Sequence, residues 1–69
     1  MNVKVDDFLR ELGFKGIRGA VAVGESLRGT NIWVKHSVLE SDRREIEKLL
    51  RKYGAEENEL EGGWVFDGF

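Results

Sequence analysis

Sixty-nine residues make one small domain, and the lack of cysteine excludes disulfide staples and thiolate metal sites. A single histidine adds no zinc ligand set, and no apolar run approaches the roughly 18 residues that span a bilayer. The net charge of -2 is split unevenly: residues 1–54 carry all 11 Lys and Arg against 8 acids, while residues 55–69 carry five acids and no base.

The predicted first helix covers residues 2–12, where Val5, Phe8, Leu9 and Leu12 repeat at i, i+3, i+4 and i+7. Asn2 and Asp6 are the alternative caps. Gly13 is the expected stop, with Phe14 folding back onto Leu9. Residues 15–23 read as a strand in which Ile17, Val21 and Val23 alternate with Arg18, Ala20 and Ala22. Gly19 falls in the apolar register, as a bulge would. Residues 24–29 form the hairpin loop, and residues 30–38 the second strand. Ile32, Val34, His36 and Val38 are its expected core face, with Asn31, Trp33, Lys35 and Ser37 on the other.

Residues 41–55 carry the clearest helix pattern, with Ile46, Leu49, Leu50 and Tyr53 on one face. Ser41 is the expected cap, Asp42 and the Arg51–Lys52 pair suit the two ends of the helix dipole, and Gly54 closes it. In the tail, Gly62-Gly63 reads either as a turn pairing residues 59–61 with 64–66, or as a bulge in a single strand. In both cases Trp64, Val65, Phe66 and Phe69 carry too much apolar surface to stay in water. The fold class is α+β: a single-layer antiparallel sheet of three or four strands with two helices on one face, in the order α-β-β-α-β(-β).

The glycine spacings do not make phosphate loops. Gly24 and Gly29 have the right gap, but Thr30 stands where Lys is needed and a strand follows where a helix is needed. Gly16-Ile17-Arg18-Gly19 has a nucleic-acid-clamp spacing but leads into a strand. His36, the only histidine, is assigned to the core, and so small a fold has little room for the pocket that would separate the pKa values of a carboxylate pair. The chain is therefore expected to be non-enzymatic, without metal or cofactor.

From residue 7 to residue 54 the layout resembles the HicA-type RNase toxins, which are small dsRBD-like domains. They share a helix ending near a glycine and an aromatic, a hairpin with a Gly-Ser/Thr turn, and a second helix. Those toxins place a catalytic histidine directly after the Gly-Ser/Thr pair. Here Gly29-Thr30 is followed by Asn31 and Ile32, His36 is displaced, and the chain is not basic. The resemblance is one of layout and carries no activity over.

Two interaction surfaces remain as expectations. Trp64 and Phe66 beside Glu59, Glu61 and Asp67 make an aromatic, acidic surface suited to a basic protein partner or to a second copy in a homodimer, in the manner of an adaptor or inhibitor of a nucleic-acid-handling protein. The alternative is a nucleic-acid surface built from Arg44, Lys48, Arg51 and Lys52 on the second helix, with Trp33, Lys35 and Arg18 from the hairpin. With no signal or membrane segment in view, the expected location is the cytoplasm.

Overall fold

The computed structural model describes residues 2–68, so Phe69 lies outside the described residues. Helix α1 runs Val3–Phe14, strand β1 Val21–Ser26, strand β2 Gly29–Val34, helix α2 Glu40–Lys52, strand β3 Glu56–Glu57 and strand β4 Trp64–Asp67. The four strands form one antiparallel sheet in the order β1-β2-β4-β3. Both helices pack on the same face, as their apolar spacing requires. Val5, Phe8 and Leu12 of α1 meet Ile46, Leu49 and Leu50 of α2 over Val21, Ile32, Trp64 and Phe66 of the sheet. At the centre the Phe8 and Phe66 rings lie 5.6 Å apart and tilted by 48°.

Asn2 caps α1 by accepting from the Lys4 amide at 2.9 Å, which decides between the two candidate caps. The helix passes through Gly13 and stops two residues beyond the expected point. Gly16 turns the chain with φ of 74°, and the Ile17 amide bonds back to the Leu12 carbonyl at 3.0 Å. Ile17 is the residue packed against the core, while Phe14 is 83% exposed and does not fold back onto Leu9. Ile17 thus belongs to the helix stop and not to β1. Arg18–Ala20 form a short 3-10 turn, and Gly19 sits there with open space around it.

The hairpin is tighter than its glycines imply. Ser26 pairs with Gly29, so the turn is Leu27-Arg28 alone and residues 24–26 belong to the strand. β2 ends at Val34, where its partner β1 begins, and His36 is exposed beyond the strand instead of facing the core. Helix α2 starts at Glu40, one residue before Ser41. Leu39 takes the cap position without a side-chain bond, and its carbonyl accepts from the Arg43 amide at 2.9 Å. Glu40 and Asp42 place negative charge in the first turn, where the helix dipole favours it. At the other end the Ala55 amide bonds the Leu50 carbonyl at 2.8 Å across Gly54, the expected stop.

The tail is a hairpin with a shifted register. Glu56 and Glu57, not residues 59–61, pair with Val65 and Trp64. Residues 58–63 form the connection, closed by the Asn58 amide on the Gly63 carbonyl at 2.9 Å. That connection folds over the sheet face away from the helices.

Candidate functional site

The connection is held by polar side chains. Asn31 projects from β2 to the face opposite the core, where a half-buried sheet would expose it, yet it is fully buried. Its amide nitrogen donates to the Gly62 carbonyl at 3.0 Å, and its oxygen accepts from the Asn58 amide nitrogen at 2.8 Å. The Asn58 oxygen accepts from the Glu61 backbone amide at 3.1 Å. The Glu61 carboxylate accepts from the Ser26 hydroxyl at 2.6 Å and from the Asn58 amide at 3.3 Å. The Ser26 bond, followed by that of Asn58, holds the Glu61 carboxyl below its ordinary range. Glu61 is therefore a latch within the fold.

Asp67 is also engaged internally. Arg28, at the hairpin turn, donates from Nε and a terminal nitrogen to its two carboxylate oxygens at 2.9 Å each, and to Glu56 at 2.8 Å. The Arg28 hydrogen bond lowers the Asp67 pKa, and the Asp67 bond raises that of Arg28.

Trp64 and Phe66 are not surface anchors. They are 8% and 1% exposed and face the helices, because the pairing of Ile32 with Trp64 and Thr30 with Phe66 places them on the core side. Of the five tail residues expected to meet a partner, Glu59 alone is exposed with its side chain outside this network. What the acidic end presents instead is a pair of leucines. Leu27 at the hairpin turn is 95% exposed and Leu60 on the connection is 96% exposed. Both line one open cleft of about 370 Å³, together with Arg28, Glu57, Asn58, Glu59 and Glu61. Neither leucine was singled out by the sequence reading. The signal was local: a leucine in a two-residue turn, or between two glutamates ahead of a glycine pair, sits where the chain reverses and cannot reach the core.

The basic residues fall into two groups. On α2, Arg44 pairs with Glu40 at 3.7 Å, Arg51 lies 5.2 Å over the Trp64 ring, and Lys52 bonds Glu11 at 3.3 Å. Lys48 is exposed on the same helix, and Arg18 is exposed in the turn before β1. Glu11 also accepts from the Tyr53 hydroxyl at 2.5 Å, which is the first cause of its lowered pKa and of the raised pKa of Tyr53. The second group gathers at the end of β2. Trp33, Lys35, His36 and Arg43 line a cleft of about 380 Å³ with Glu47 and Trp64. None of the four basic residues expected on α2 lines it; Arg43, outside that expected set, does.

Among the described residues no three His, Cys, Asp or Glu side chains come together to hold a metal ion, and no helix is long and apolar enough to cross a membrane. No family model matches the chain, and no curated protein or solved structure matches it.

Proposed function

We propose that this chain is a non-enzymatic interaction module that receives a basic segment of a partner protein, carrying one or two apolar side chains, in the cleft between Leu27 and Leu60. A protein that handles nucleic acid is the kind of partner that bears such segments, and the chain would act on it as an adaptor or inhibitor. The observation that carries the reading is the pairing of two almost fully exposed leucines on one cleft within the acidic end. Covering a leucine stabilises by roughly 1.5–3 kcal/mol, so the pair supplies an apolar anchor. Glu57 and Glu59, exposed on the cleft lining, supply the sign that steers a basic chain toward it. The latch of Ser26, Asn58 and Glu61 holds the connection in place before binding, which lowers the ordering cost.

The test is an amide-resolved NMR titration with two synthetic peptides of equal length, one alternating Lys and Leu, the other Glu and Leu. The expected result is saturable shifts at Leu27, Glu57, Glu59 and Leu60 with the basic peptide alone, lost in Leu27→Ser with Leu60→Ser. Equal binding of the acidic peptide overturns the reading. So does concentration-dependent self-association that the same double substitution abolishes, because the leucines would then be covered by a second copy.

A further inference from the structure

We infer that the cleft at the other end of the sheet is a binding site for one nucleotide unit, with the base against Trp33 and the phosphate among Lys35, His36 and Arg43. It uses none of the side chains of the Leu27–Leu60 surface and stands whether or not that surface binds a partner.

Trp33 is the first ground. It projects from β2 to the face away from the helices, so it is not part of the core, and it is half-buried on the cleft wall. Its indole nitrogen donates to the Glu61 carbonyl at 3.2 Å. Its six-membered ring occupies the space above Gly24, where an added Cβ would come within 2.7 Å of Cζ3, and its five-membered ring rests beside Gly62 and Gly63. Three glycines and one hydrogen bond thus fix the ring before any ligand arrives. A fixed indole is a stacking surface that loses little freedom on binding, and it accepts any base because every base has a π face.

The cations are the second ground. Lys35 and Arg43 meet at the same wall, with the Arg43 guanidinium donating to the Lys35 carbonyl at 2.7 Å. That bond orients the guanidinium and uses one of its five N–H donors. His36 adds an imidazole donor. Among the described residues the one carboxylate on the lining is Glu47, a helical turn beyond Arg43. It keeps a phosphate to the Lys35 side and offers an acceptor to an exocyclic amine.

Size and total charge set the length of the ligand. A volume of about 380 Å³ is at the small end of ligand sites and suits one nucleotide. The tail's five acids, of which only Glu56 and Asp67 are paired with Arg28, repel a long polyanion running the length of the molecule. Two sources present the same chemistry: a free mononucleotide, or one nucleotide of a short single strand.

Tryptophan fluorescence of the intact chain provides the readout, since both tryptophans line the cleft. The probes are AMP, adenosine, inorganic phosphate and a four-nucleotide RNA of adenylate, each at low and at physiological salt. The expected result is saturable quenching by AMP or by the oligonucleotide, with adenosine and phosphate each at least about tenfold weaker. Lys35→Glu should weaken binding by about tenfold or more, Lys35→Arg should retain it, and Lys48→Glu, the same charge change outside the cleft, should leave it unchanged. Tighter binding of AMP identifies a free nucleotide as the ligand. Tighter binding of the oligonucleotide, with a steeper salt dependence, identifies a strand. Saturation by none of the probes overturns the site, as does equal loss in Lys35→Glu and Lys48→Glu.

Discussion

Asn58 donates its side-chain amide to the amide oxygen of Asn31 at 2.8 Å, and both residues are buried on the sheet face that the helices leave uncovered. Truncating one leaves the other with an unmet polar group, which costs about 1–3 kcal/mol. Truncating both removes the orphan as well. Asn31→Ala and Asn58→Ala should therefore each lower stability in urea by that amount, and the double variant should lose less than the sum. Strict additivity would show that the two amides do not act together.

The acidic end should lose stability in acid. Glu61 is held below its ordinary pKa first by the Ser26 hydroxyl, and Asp67 first by Arg28. A carboxyl whose pKa is lower in the folded chain contributes stability that is present above its unfolded pKa. That contribution is lost as pH falls through the folded value. Arg28 is shifted upward and stays charged throughout, so it adds no slope. Its pair with Asp67 is partly exposed and contributes modestly. Glu61→Gln should have a lower urea midpoint than the parent near neutral pH, and the gap should narrow as the solution is acidified. A gap of constant size would show that the charge on Glu61 does not matter to the latch.

Tyr53 is the chain's one tyrosine, so its phenolate absorbance can be followed without interference from another. Its hydroxyl donates to Glu11, and that bond is the main cause of its raised pKa. A group whose folded pKa is raised contributes stability that is complete below the unfolded pKa and is lost as pH rises through the folded one. Glu11→Gln removes the carboxylate and should bring the phenol's titration midpoint down. An unchanged midpoint would mean that burial, not Glu11, sets it.

Helix α2 was legible because Ile46, Leu49, Leu50 and Tyr53 keep a helical period, and the first three are buried as the spacing requires. The sequence pattern starts β1 too early because Ile17 alternates with Val21 and Val23. Its apolar role is to close the helix stop, and a two-residue alternation cannot tell that from a strand. Trp64 and Phe66 stand among acids, which drew the reading toward a surface, but strand pairing turns both to the helices. Asn31 carries no local signal of its burial, since the group that covers it lies 27 residues away. Trp33 and Lys35 were marked in the sequence, whereas Arg43 joins them only because α2 folds back beside the end of β2.

Two glycines should respond to alanine in opposite directions. Gly13 lies inside α1 with nothing near the place of a Cβ, so Gly13→Ala removes a helix-breaking residue without a clash. It should stabilise by about 0.5–1 kcal/mol. Gly63 has φ of 67°, and a Cβ there would overlap the Ile32 carbonyl and press on the Trp33 ring. The strain of that backbone conformation alone is about 1–2 kcal/mol, and the overlap with main chain adds to it because a carbonyl in a paired strand cannot move aside. Gly63→Ala should lower the urea midpoint and change the tryptophan fluorescence, since the residue supports the indole of Trp33. If Gly63→Ala were as stable as the parent with unaltered fluorescence, the close approach of the connection to β2 would be wrong, and with it the fixed position of the ring.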